Sequence, residues 1–168
     1  MTAPRIVSLE GILEHPELSD TNRHGAQFEG RLGAVGRALG TTQIGMTLTE
    51  VPPGKAAWPR HFHHVNEEVF WILAGEATLR YGEEDHPVRE GQLVCIPPGT
   101  GIAFQLRNEG TAVLRYMALS GLNATDVFEY PDSGKIGLVT GGNGPMRGPH
   151  TRTFFTHTRS QVPYWTDE

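Results

Sequence analysis

Cysteine is almost missing from this chain of 168 residues: Cys95 stands alone. A disulfide framework within one chain is therefore excluded, and a reducing, cytoplasmic home is the default expectation. In "LVCIPPG" that cysteine reads as a small buried strand residue. Long apolar runs are missing too. The longest, such as "VFWIL", fall far short of the about 20 residues of a membrane span. The first residues lack the cationic-then-apolar pattern of a secretory signal. Lys and Arg form no patch or arm in a chain of net charge −5, so neither nucleic acid nor an anionic membrane is expected as partner. There is no internal repeat, no low-complexity block, and no long helical stripe between Thr41 and Ser120.

What is abundant is punctuation. Gly occurs 21 times and Pro 12 times, and the segments between them are short and rich in β-branched and aromatic residues. "TTQIGMTLTEV", "EVFWILAGEATLRYG", "HPVREGQLVCI", "IAFQLRN" and "TAVLRYMALS" each end at a Gly or Pro signal. Short strands at this spacing predict an all-β sandwich or barrel in one domain, with an arm over 1–40, a core over 41–121 and a tail over 122–168. In the arm, Phe28, Leu32, Val35 and Leu39 fit a helix, but Gly30, Gly33, Gly36 and Gly40 each cost a helix about 1 kcal/mol relative to Ala. Strand plus turn is the reading there. The tail carries two loop signals, "PDSG" and "GGNGPMRGP", and a short strand around "TRTFFTH".

The chemistry concentrates in "PRHFHHVNEEVFWILAGE", with three histidines and two glutamates between His61 and Glu68. In a strand His61 and His63 share one face, and so do Glu68, Phe70 and Ile72. Two adjacent antiparallel strands turning at 64–67 would aim His61, His63 and Glu68 at one point. Two neutral imidazoles and a carboxylate suit a divalent Zn, Mn, Fe, Co, Ni or Cu ion. The bland alternative is a solvated loop. Glu67 reads as a surface residue or one that orients a histidine. His64 reads as exposed, and His15, His24, His86 and His157 have no evident partner.

The spacing around these residues resembles the first cupin motif, G(x)5HxH(x)3,4E(x)6G, from Gly54 through His61, His63 and Glu68 to Gly75, with one extra residue after Gly54. Gly91, Pro97, Gly99 and Asn108 resemble the second, G(x)5PxG(x)2H(x)3N. The chain is similar to small bacterial cupins termed phosphomannose-isomerase-like or sugar-phosphate-isomerase-like. The resemblance implies a cupin double-stranded β-helix, a jelly-roll barrel, and a homodimer by strand exchange. It departs in one place: Phe104 stands where the second motif carries its metal-binding histidine.

Three consequences remain open at this stage. The site holds metal through His61, His63 and Glu68 alone; or a fourth ligand comes from His64, His86, His150 or His157; or metal is weak or absent and Phe104 shapes an apolar-walled pocket. Ile102, Phe104 and Leu106 are expected to face inward together. Phe104, Gln105, Tyr116, Trp71 and Arg80 are the candidate pocket residues. The function expected is binding of one divalent metal (Zn, Mn, Fe or Ni) and a small polar organic ligand, non-catalytic or weakly so. The alternative is a metal-dependent isomerase, epimerase or Fe(II) dioxygenase. Gly141–Gly148 lacks the ending of a phosphate loop and reads as a turn. "YPDSGK" reads as a turn too, although its Lys135 is suited to meet a phosphate or carboxylate.

Overall fold

The computed structural model describes residues 4–141 and 151–167. His150, and the Gly141–Gly148 stretch after Gly141, lie outside the described residues.

The chain opens with helix α1 (Leu9–Glu14), capped by the Ser8 side chain, which accepts a hydrogen bond from Gly11 N at 3.1 Å. Strands β1 (Ser19–His24) and β2 (Phe28–Gly33) form a hairpin, followed by the short helix α2 (Val35–Leu39) and β3 (Ile44–Val51). The glycine-rich arm is thus a strand to Gly33, as read. Beyond it the Val35 and Leu39 positions form a helical turn, because Gly40 takes the left-handed conformation that ends it (φ 68°). α1 and α2 bury Ile12, Leu13 and Val35 with Leu48 and Met117 in a small second core outside the barrel.

The barrel strands follow: β4 (Phe62–His63), β5 (Glu68–Ala74), β6 (Glu76–Tyr81), β7 (Glu84–Arg89), β8 (Leu93–Ile96), β9 (Phe104–Arg107) and β10 (Leu114–Gly121). Then come β11 (Thr125–Tyr130), β12 (Lys135–Thr140) and β13 (Arg152–His157). One sheet runs β1-β2-β3-β10-β5-β8, a second β13-β12-β11-β4, and a third β7-β6-β9, with antiparallel ladders throughout. The segments read as arm and tail therefore both supply strands to the sheets. Among the described residues no helix is long and apolar enough to cross a membrane.

Inside, Val51, Phe70, Ile72, Leu79, Phe104, Leu106, Leu114 and Tyr116 pack into one core. Two motif residues shape it. Gly75 turns β5 into β6 at φ 82°, where a Cβ would also meet Val113 O at 3.0 Å. Asn108 is buried and ties three backbone groups together: its Nδ2 donates to Val51 O and Ala112 O, both at 2.8 Å, and its Oδ1 accepts from Gly110 N at 3.0 Å.

Two local expectations need correction. Cys95 is exposed. It lies on an edge strand and shares its outward face with Leu93, while Ile96 points in. Ile102 does not face inward with Phe104: β9 begins only at Phe104, so alternation does not reach back to Ile102, which is 38% exposed while Ala103 is buried.

Candidate metal centre

The histidine strand is pinned from both sides. His61 exchanges two backbone hydrogen bonds with Phe104, at 3.1 and 2.8 Å. His63 O accepts from Gly99 N at 2.8 Å, which fixes the strand to the Pro97–Gly99 turn, and His64 N donates to Val127 O at 2.8 Å. β4 pairs with β11, whereas β5 pairs with β10 and β8. The histidines and Glu68 are therefore not on one hairpin, as the sequence suggested. They belong to different sheets and meet across the barrel interior. One ligand atom from each of His61, His63 and Glu68 lies within 4.8 Å of the others, and among the described residues no fourth His, Cys, Asp or Glu joins them. His64 instead pairs with Glu129 at 2.8 Å, and His86 lies 3.5 Å from Glu84.

Hydrogen bonds choose which nitrogen each ring offers. His61 Nδ1 is 2.7 Å from Pro59 O, a pure acceptor, so Nδ1 carries the proton and Nε2 keeps its lone pair. His63 Nδ1 is 2.5 Å from Asp126 Oδ2, which sets the same tautomer, and its Nε2 lies 3.6 Å from Glu68 Oε1. Asp126 is itself held: Oδ1 accepts from Val65 N at 3.1 Å and Oδ2 from Asn66 Nδ2 at 3.0 Å. Asn66 Oδ1 accepts in turn from Asn123 Nδ2 at 2.7 Å. This carboxylate–histidine arrangement is the usual means of orienting a metal-binding imidazole. The orienting residue is therefore Asp126. Glu67, a candidate for that role, is exposed and lies beside Cys95, whose thiol is raised first by burial and then by Glu67's charge.

The charges follow the geometry. Burial would raise Asp126's carboxyl, but the His63 hydrogen bond and charge, with the Val65 and Asn66 donors, carry it below the ordinary Asp range. Burial would lower His63, but Asp126 and Glu68 together raise it. Burial raises Glu68, and His63 offsets this in part. His61 keeps part of its surface open to the cavity, yet its ring is walled by Phe104, His63 and Tyr130. Burial, then His63's charge, lower it to about 4. The unfolded chain takes up this proton near pH 6.5, before the folded chain does. The stability contributed by neutral His61 is thus complete above pH 6.5 and lost as pH falls toward 4. Urea unfolding of metal-free His61→Gln should show a flatter acid limb than wild type across this window; parallel limbs would mean that His61 is not buried neutral.

The three ligand groups open into a cavity of about 450 Å³ whose lining includes Thr49, Trp58, Phe70, Phe104, Tyr116 and Tyr130. Phe104 and Tyr116 are each 2% exposed. Phe104's ring lies 4.7 Å from that of His61 and 5.7 Å from that of Phe70. It sits beside His61 on the neighbouring strand, not opposite the histidine pair. Gln105 lines the rim, its Nε2 donating to Trp58 O at 2.8 Å. Trp71 does not reach the cavity: it is 47% exposed on the outer face of β5, opposite Phe70 and Ile72. Arg80 is outside as well, pairing with Glu83 at 3.0 Å, because β6 turns Ala77 and Leu79 inward. Asp126 and Tyr130 went unread as site residues. The available signal was an acid alternating with Phe128 and Tyr130 along one face of a strand.

Residues 47–120 match the cupin domain family. Over those residues the chain carries a cupin domain. No curated protein sequence matches the chain. Among solved structures, the chain is similar to an Acidithiobacillus ferrooxidans protein assigned as a sugar phosphate isomerase, with 21% identity and a TM-score of 0.78 over 95% of this chain and 96% of that one. It is similar also to a sugar phosphate isomerase of the cupin superfamily from Silicibacter pomeroyi, with 19% identity and a TM-score of 0.69 over 83% and 87%. A Thermotoga maritima protein described as a predicted oxalate decarboxylase follows at 19% identity and a TM-score of 0.52 over 65% and 97%. At these identities the likeness establishes the fold of the chain and leaves its chemistry to its own residues.

The donor set of the cupin barrel fits a divalent metal. His61 presents an unprotonated Nε2, and His63 does so in its neutral form, since Asp126 holds the remaining proton on Nδ1. Glu68's carboxylate faces the cavity beside them, 3.6 Å from His63 Nε2. Two imidazole nitrogens and one carboxylate oxygen converging at a cavity wall are a donor set that a divalent ion would complete.

Proposed function

We propose that the protein binds one divalent metal through His61, His63 and Glu68 and a small polar organic ligand in the cavity above it. The observation that carries the reading is the convergence of the three ligand atoms within 4.8 Å of one another at the cavity wall. When bound, the metal would supply a Lewis acid with positions left open for ligand oxygens. The chain's own residues do the rest. Asp126 fixes the His63 ring, and Pro59 O fixes that of His61. Phe70 and Phe104 exclude water from one wall. Burial keeps the Tyr116 and Tyr130 hydroxyls protonated, as donors to a ligand.

Calorimetric titration of chelator-treated protein with Zn, Mn, Ni and Fe(II) tests this. One site per chain is expected, incompletely occupied after dialysis against chelator because three ligands hold less tightly than four. His61→Ala with His63→Ala should abolish it. Full occupancy after such dialysis would point to a further ligand, and no binding of any of the four would end the metal reading.

A metal-dependent isomerase acting on a sugar or sugar phosphate is the second reading. It is favoured by Tyr130, whose ring lies 5.6 Å from that of His61 and whose phenol is kept protonated by burial first and Glu68's charge second. In this reading the phenol would be the group that hands a proton to a ligand at the metal.

A further inference from the structure

A second cavity, of about 660 Å³, adjoins the first and shares Pro59, Gln105 and Tyr130 with it. Its charge runs against that of the whole chain, which is −5. Lys55, Arg60, Arg107, Lys135 and His24 line it, against only Glu109 and Asp132. Both arginines are already neutralised. Arg60 lies 3.2 Å from Glu83 and 3.3 Å from Asp132; Arg107 lies 2.9 Å from Asp85 and 3.2 Å from Glu109. The two acids on the wall are thereby used up. Lys55 Nζ donates to Ala26 O, and its field also reaches Glu29, which Arg23 already pairs. Lys135 differs from all of these. Among the described residues it has no carboxylate partner, and its Nζ rests over the Tyr130 ring at 4.7 Å and the Phe155 ring at 5.9 Å.

We infer that this second cavity seats the anionic end of a small polar ligand, a phosphate or a carboxylate, with Lys135 as its main counter-charge and Lys55 as the second. The inference deepens the proposed function and rests on it only for the ligand's other end, at the metal. Tyr130 lines both cavities: its ring lies 5.6 Å from that of His61 and 4.7 Å from Lys135 Nζ. The ligand is therefore two-headed, with oxygens for the metal at one end and a negative group at the other, both seats bordered by the Tyr130 ring. A lysine suits the second seat because its ammonium is a compact charge with three rotatable donors. The aromatic rings hold that ammonium without cancelling its charge, and the cavity walls concentrate its field on an entering anion.

The experiment titrates inorganic phosphate, and separately acetate, into the purified full-length protein and into Lys135→Gln, Lys135→Arg, Lys55→Gln and His61→Ala. Wild type should bind phosphate, more weakly as ionic strength rises. Lys135→Gln should bind it about tenfold more weakly, Lys55→Gln should show a smaller loss, and Lys135→Arg should restore most of the affinity. Acetate binding with the same dependence on Lys135 would mark a seat open to carboxylates; phosphate binding alone would mark one for phosphate. His61→Ala should retain phosphate binding, since the seat is not the metal. Loss in His61→Ala with none in Lys135→Gln would overturn the inference by placing the anion on the metal. Equal phosphate affinity in wild type and Lys135→Gln, or no binding in wild type, would overturn it too. The separate titration of wild type with Zn distinguishes this from failure of the metal reading: Zn binding with no phosphate seat refutes this inference alone, and phosphate binding without Zn binding refutes only the other. Lys135→Gln should unfold thermally close to wild type; a large drop would show that Lys135 serves packing and would count against the inference.

Discussion

Asp126→Ala should weaken metal binding by about 10–100-fold, the usual cost of losing an orienting partner. It should also remove about 3 kcal/mol of stability, because it strands several buried donors at about 1–3 kcal/mol each before relaxation. Asp126 is 1% exposed and collects His63 Nδ1, Val65 N and Asn66 Nδ2. Asp126→Asn separates orientation from packing. An amide turned with its oxygen toward His63 sets its NH2 against Val65 N–H. Turned the other way, its NH2 faces His63 Nδ1 and drives the ring proton to Nε2, where it blocks the metal. Asp126→Asn should therefore lose most of the metal affinity while losing less stability than alanine. Paired calorimetry and urea unfolding read the two effects. Asparagine binding metal as well as wild type would show that Asp126 is there for structure alone.

Phe104→His should act in the opposite direction and tighten binding of at least one of Zn, Mn, Ni and Fe(II) by about tenfold or more, about 1.4 kcal/mol. Phe104 is the cross-strand neighbour of His61, with ring centroids 4.7 Å apart and backbones exchanging two hydrogen bonds. A ring nitrogen introduced there enters the same cavity wall as the two histidines. The gain comes with some loss of stability, since a buried phenyl gives way to a polar ring that needs a partner. Phe104→Ala, which only opens a cavity, should cost about 3–5 kcal/mol and leave metal affinity nearly unchanged. Calorimetric titration of both variants decides. Unchanged affinity of Phe104→His for all four metals would mean that the phenyl ring does not stand in the place of a ligand.

What was legible in the sequence is what local periodicity controls. The breaks at Gly and Pro marked the ends of β3, β5, β6, β9 and β10, and the alternation along β5 set Glu68, Phe70 and Ile72 on one face. That same alternation already puts Trp71 on the other face, so its naming as a pocket residue went against the pattern. The pairing of strands was not legible. β4 is only two residues long, and nothing within it says that its partner is β11 and not β5. Asp126 is 63 residues from His63, a contact created by topology alone. Lys135 was noticed but read within its turn. Its significance comes from the arginines around it being paired, which is again a non-local fact.

The division of the ligands between two sheets has a mechanical consequence. An ion gripped by His61 and His63 on one side and Glu68 on the other would be a removable rivet through the barrel, and the spacing of the two walls would depend on whether it was in place. Anything binding the folded form alone raises the unfolding free energy with its concentration. A chelator would therefore do more than empty a pocket: it would cut the cross-tie between β4 and β5, leaving the backbone bonds to Phe104, Gly99 and Val127 and the Asp126 carboxylate to hold the histidine wall upright.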